Sequence, residues 1–131
     1  MVCLLVVDDD IAACLILQRM VQKLGFDCDI AHDGEEAVRA ALEKKYSAIL
    51  LDSFMPDKNG WDTALEIRTL QKGDDRPMMI GMVSLDNPSL RQSWRMAGME
   101  KLLPKPVNRS DLRETIFRAQ VQTNPQERIN N

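Results

Sequence analysis

Three carboxylates in a row, Asp8, Asp9 and Asp10, stand directly after the apolar run Leu4 to Val7, and Asp52 stands directly after a second run, Ala48 to Leu51. Ser84 follows a third, Met78 to Val83, and Lys105 comes just after the short run Leu102 to Leu103. Crowded carboxylates repel: a pair about 4 Å apart costs ~1 kcal/mol in water and ~4 kcal/mol at an effective dielectric of about 20. Lys105 offsets one unit of that charge. A hard divalent cation offsets two, and an all-oxygen ligand set suits Mg2+ or Mn2+ rather than zinc. A carboxylate nucleophile, a hydroxyl and a lysine around such a cation can accept and stabilise a transferring phosphoryl group, with an acyl phosphate on an aspartate as the product.

These residues must be brought together by the elements that precede them. The apolar runs have the length of buried strands, and Cys28 to Ala31 is a weaker run of the same kind. Between them the spacing predicts helices. Leu17, Met20, Val21 and Leu24 share one face before Gly25. Asp33 and Glu36 have capping-box spacing ahead of an apolar face of Ala37, Val38, Ala41 and Leu42. A third helix is expected from about Trp61 to Gln71, after Gly60. A fourth is signalled by Asn87 and Pro88, with Leu90, Trp94 and Ala97 on one face before Gly98; a fifth opens at Ser110, with Leu112, Ile116 and Ala119 on one side. Strand and helix thus alternate five times, which predicts an α/β fold with a doubly wound parallel sheet, five strands and five helices. In such a sheet ligands bind beyond the carboxyl ends of the strands, where Asp8, Asp9, Asp52, Ser84 and Lys105 all fall. Asp10 reads as the cap of the first helix.

Composition narrows the function classes. The chain has 131 residues, enough for one domain with its own core. With 17 basic and 20 acidic residues the formal net charge is -3, which offers no broad basic surface for nucleic acid. Cys3, Cys14 and Cys28 form no CxxC pair and read as core thiols of a reducing compartment. No apolar run reaches the length of a membrane span and no basic leader precedes the first strand, so a cytoplasmic chain is expected. Residues 1–122 are expected to form the domain, and 123–131, polar and containing Pro125, a tail. His32, before a helix and without basic neighbours, reads as a solvated turn residue rather than a phosphoryl donor.

The segments "LLVVDDD", "LLDSFMPDKNG", "IGMVS" and "AGMEKLLPKPV" together resemble the receiver domain of two-component response regulators, over residues 2 to about 118. The resemblance implies a flavodoxin-like sheet of strand order 2-1-3-4-5. It implies that Asp52, followed by Met55, Pro56 and Gly60, is the aspartate phosphorylated by a histidine kinase or a histidine phosphotransfer protein. Asp8 and Asp9 would position Mg2+ together with Asp52, and the backbone carbonyl of Phe54 would complete the protein's share of the coordination. Ser84 would be the switch hydroxyl, and Lys105 would pair with the phosphoryl group, beside a Lys105–Pro106 bond typically cis in this family. The downstream protein would dock on the face built from the fourth helix, the fifth strand and the fifth helix. Such a domain assists its own phosphorylation and dephosphorylation without being a turnover enzyme.

Two positions depart from the family's commonest pattern. Leu102 stands where an aromatic is usual, so the coupling of the hydroxyl shift to ring rotation cannot operate in its ordinary form. Leu85 stands where a small residue usually follows the switch hydroxyl, and with Phe54 it would hinder water at the phosphoryl group. Met82, Trp94 and Met99 read as core or half-buried packing. A haloacid dehalogenase-type phosphohydrolase would need a second acid two residues after the nucleophile, where this chain has Phe54. A flavin or mononucleotide binder would need a glycine-rich cradle after the first strand rather than acids. The remaining alternative is a receiver-like interaction module that is never phosphorylated. As no output domain follows the sheet, signalling through contact with another protein is expected, either from a free-standing regulator or from the receiver of a hybrid kinase.

Overall fold

The computed structural model describes residues 2–53, 60–71, 73, 76–84 and 97–123. Its elements are β1 (Cys3–Val7), α1 (Ile11–Lys23), β2 (Asp27–Ala31), α2 (Gly34–Glu43), β3 (Ala48–Asp52), α3 (Gly60–Leu70), β4 (Met78–Val83), β5 (Lys101–Pro104) and α4 (Arg109–Thr123). The five strands form one parallel sheet in the order β2-β1-β3-β4-β5. The order reverses after β1, between β1 and β3, which opens the crevice anticipated for this topology.

The apolar runs are continuous because both faces of the sheet are covered. Every residue of β1, β3 and β4 is buried. Alternation along each strand sorts the side chains into two layers. Cys3, Leu5, Val7, Ile49, Leu51 and Met79 pack with Ala37 and Ala41 of α2 and with Trp61, Ala64 and Ile67 of α3. Leu4, Val6, Leu50, Ile80 and Met82 pack with Cys14, Leu17 and Val21 of α1 and with Leu112, Ile116 and Ala119 of α4.

Local signals act as read. Asp10 caps α1, its side chain accepting from Ala13 N at 3.2 Å. Asp33 accepts from Glu36 N at 2.7 Å, while the Glu36 carboxylate accepts from His32 N at 3.0 Å. Gly25, at φ 93°, takes the left-handed conformation that turns the chain into β2. The three thiols are free and buried, His32 is exposed, and Met82 and Met99 lie in the core.

Two local readings are corrected. Ser110 does not open the last helix: α4 begins at Arg109, and the Asn108 side chain accepts from Asp111 N at 2.8 Å while donating to the Asp111 carboxylate at 3.0 Å. Ser110 is already the second residue of the helix, so the capping position that accepts from the first-turn amide falls to Asn108. Leu42 does not join the core and is 57% exposed. It lies one position beyond buried Ala41, about 100° further round the helix, and therefore off the contact face. The fourth predicted helix, with Asn87, Pro88, Leu90 and Trp94, lies outside the described residues, as do Phe54, Met55, Pro56, Leu85 and the tail beyond Thr123.

Candidate functional site: an acidic crevice at the sheet's carboxyl end

The site is assembled by strand register. Val7, Leu51, Val83 and Pro104 lie at the carboxyl ends of neighbouring strands, β3 running one residue on to Asp52, with Val83 paired to Pro104 and Val7 to Leu51. The residues that follow them, Asp8, Asp52, Ser84 and Lys105, therefore emerge along one edge. Backbone hydrogen bonds continue the ladder into the crevice: Ser53 N donates to Met82 O at 2.9 Å, and Lys105 N donates to Val83 O at 2.9 Å. The Lys105–Pro106 bond is cis.

Asp8, Asp9 and Asp52 each place a carboxylate oxygen within 4.8 Å of the others. Asp8 is 1% exposed and Asp52 4%, whereas Asp9 is exposed. Lys105 Nζ lies 3.4 Å from Asp8 Oδ2 and 3.2 Å from Asp52 Oδ1. Burial pulls the Lys105 ammonium down, but the carboxylates of Asp52 and Asp8 outweigh it, and its pKa stands above the ordinary lysine value. Among the described residues one ammonium thus contacts two of the three clustered carboxylates. Asp8 Oδ1 accepts from Asp10 N at 3.0 Å, while buried Asp8 Oδ2 has no hydrogen-bond partner among the described residues. A buried oxygen in that state, within an all-oxygen cluster carrying excess negative charge, fits a hard divalent cation. Ser84 stands at the carboxyl end of β4, exposed, and Asp10 is occupied as a helix cap.

Two supports of the crevice were not read from the sequence. The Cys14 thiol, in the first turns of α1, donates to Asp8 O at 3.2 Å. Burial, and then the charge of Asp8, push that thiol up to about 11, so it remains a neutral donor. Gly60 is the second. A Cβ there would lie 2.1 Å from Asp52 O, so only glycine lets α3 begin against the backbone of Asp52. The presence of a glycine at a helix start is visible in the sequence, but the backbone it must clear is not.

The comparisons with known proteins show the family and the fold. The response regulator receiver domain family model matches residues 4–117. Response regulator MprA of Mycobacterium ulcerans is 34% identical over 109 residues, which cover 83% of this chain and 46% of that protein. The chain spans about half the length of the curated relatives heading that comparison. The chemotaxis protein CheY4 of Vibrio cholerae, at 25% identity, superposes with a TM-score of 0.82 over 91% of this chain and 98% of its own. The receiver domain of the sensor histidine kinase PA1611 from Pseudomonas aeruginosa, solved with a magnesium ion coordinated in its active-site cleft, is 30% identical, with a TM-score of 0.79 over 88% of this chain and 94% of its own.

Proposed function

Because this chain belongs to the response regulator receiver domain family, we propose that it is a phosphoacceptor signalling domain in which Asp52 receives a phosphoryl group from a histidine kinase or a histidine phosphotransfer protein. The observation that carries the reading is Lys105 Nζ, held 3.2 Å from Asp52 and 3.4 Å from Asp8 in a crevice that also gathers the Asp9 carboxylate. The PA1611 receiver supports the cation assignment, since a related domain binds magnesium in its cleft.

In the proposed step an Asp52 carboxylate oxygen attacks the phosphorus of a phosphohistidine. The O–P bond forms as the P–N bond breaks, and the histidine, protonated on its other ring nitrogen, leaves as neutral imidazole. Asp8, Asp9 and Asp52, with the backbone carbonyl of Phe54, would hold Mg2+ or Mn2+, which when bound neutralises charge on the phosphoryl oxygens. Lys105 supplies a second positive group, already 3.2 Å from Asp52 Oδ1. The hydroxyl of Ser84 donates to a phosphoryl oxygen from the neighbouring strand end. Burial of Asp8 and Asp52 strengthens these interactions relative to water. The product is a signal rather than a released compound, and the phosphorylated domain changes its contacts with a downstream protein through β5, α4 and the segment before β5. No helix among the described residues is long and apolar enough to cross a membrane, and the reading places the chain in the cytoplasm.

Intact mass spectrometry after incubation with acetyl phosphate tests this. We expect a gain of one phosphoryl group that requires Mg2+ and is abolished in Asp52→Asn. An adduct of equal yield in Asp52→Asn would overturn the assignment.

A further inference from the structure

β4 reads Met-Met-Ile-Gly-Met-Val, a buried strand interrupted by Gly81. A glycine inside a strand weakens it and often marks a place where another group must approach the backbone. That group is Trp61. A Cβ on Gly81 would lie 2.7 Å from Cη2 and Cζ3 of the Trp61 indole and 2.8 Å from Cδ2 of Leu102. The six-membered ring therefore rests on the β4 backbone, beside the Leu102 side chain. Trp61 is 6% exposed, and Leu102 is half-buried against the same layer.

The position of this ring matters because of what lies at each end of it. Leu51, Gly81 and Leu102 form one row across β3, β4 and β5, directly before the row that contains Asp52. Trp61 spans part of that row from the first turn of α3, and its neighbour Gly60 is packed on the Asp52 carbonyl. Three residues beyond Leu102 is Lys105, whose ammonium faces Asp52. Besides the sheet itself, the segment carrying Asp52 and the strand that leads into Lys105 are thus linked through the crevice and through a rigid planar side chain. Close-packed interiors transmit displacement because there is no void to absorb it.

We propose that Trp61 is a positioning residue that couples the Asp52 segment to β5 through Gly81 and Leu102. A shift of the α3 start when Asp52 is modified pushes the indole against Leu102 and moves β5. This rests on Asp52 being the phosphoacceptor. Leu102 carries no ring of its own, and the aromatic that meets it over Gly81, in the same packed layer, comes from α3.

Backbone amide shifts of Lys101, Leu102 and Leu103, recorded before and after beryllofluoride and Mg2+ with adduct occupancy followed by fluorine resonance, test the coupling. In the wild type these amides move on adduct formation. Trp61→Leu is expected to form the adduct but to lose the β5 response, while Trp61→Phe, which keeps a ring, retains it. Gly81→Ala, whose methyl must displace the indole, is expected to lose it as well, and if that variant does not fold the Trp61 pair decides. With Trp94→Phe leaving Trp61 as the single tryptophan, its emission is expected to shift on adduct formation. An undiminished β5 response in fully occupied Trp61→Leu would overturn the coupling alone. Absence of any adduct in the wild type would instead overturn the phosphoacceptor reading on which it rests.

Discussion

Asp8 and Asp29 each meet a lysine at the edge of the same sheet, and the two meetings are built differently. Asp29, in β2, accepts from the Tyr46 hydroxyl at 2.7 Å and from Lys44 Nζ at 3.0 Å. One carboxylate has two donors, and both members of the ion pair are about half exposed. Asp8 is almost fully buried, shares a single ammonium with Asp52, and keeps one oxygen without a hydrogen bond among the described residues. The Asp29 cluster is locally balanced and ties the loop before β3 to the edge strand. The Asp8 cluster carries surplus negative charge in a desolvated place, which folding alone does not favour and a bound cation would relieve.

The largest expected effect comes from the backbone fit that the crevice needs and the edge cluster does not. Gly60→Ala forces a methyl to within 2.1 Å of Asp52 O, and we expect a loss of about 3 kcal/mol or more in urea unfolding. By contrast, Tyr46→Phe deletes one hydrogen bond and should cost about 1 kcal/mol. If the two losses were equal, the packing of α3 on Asp52 would be looser than the structure shows.

The sharpest difference is one of sign. Removing surplus charge from the crevice by Asp8→Asn should raise stability without added metal by about 1 kcal/mol, because repulsion from Asp9 and Asp52 falls. The same substitution should remove the rise in melting temperature that Mg2+ gives the wild type. Asp29→Asn, which weakens a satisfied acceptor, should lower stability by about 1 kcal/mol. Thermal melts with and without Mg2+ read both, and a destabilised Asp8→Asn would break the comparison.

The smallest expected effect is in pH dependence. The Tyr46 hydrogen bond and the Lys44 contact hold Asp29 below its ordinary value of 3.8, against burial. A depressed carboxylate contributes stability that is present above the unfolded value and lost as pH falls through the folded one. Tyr46→Phe should therefore flatten the acid limb of the stability profile below about pH 4. Lys105 is raised above 10.5, so its contribution is complete below that value and lost as pH rises through the folded pKa. Lys105→Met should flatten the alkaline limb and leave the acid limb near Asp29 unchanged, as measured by urea midpoints across pH.

Much of this was legible in the chain because it depends on local or periodic signals. Apolar runs marked the strands, the Asp33 and Glu36 spacing marked α2, and the acids at the carboxyl ends of β1 and β3 marked the crevice. What failed were choices between near neighbours. Asn108 rather than Ser110 caps α4, since the cap is decided by which side chain reaches the free amide. Leu42 leaves the core by a single helical step.

By itself the sequence determined the order of elements, the parallel sheet and the strand ends that carry Asp8, Asp52, Ser84 and Lys105, because burial on two faces and the helical period are written in residue type and spacing. Only the tertiary structure decided that one lysine serves Asp8 and Asp52 together, that Cys14 holds the Asp8 carbonyl, and that Trp61 and Leu102 both close over Gly81. Those contacts join residues distant in the chain. They are set by strand register and by the depth to which a helix settles on the sheet, neither of which leaves a periodic trace in the sequence.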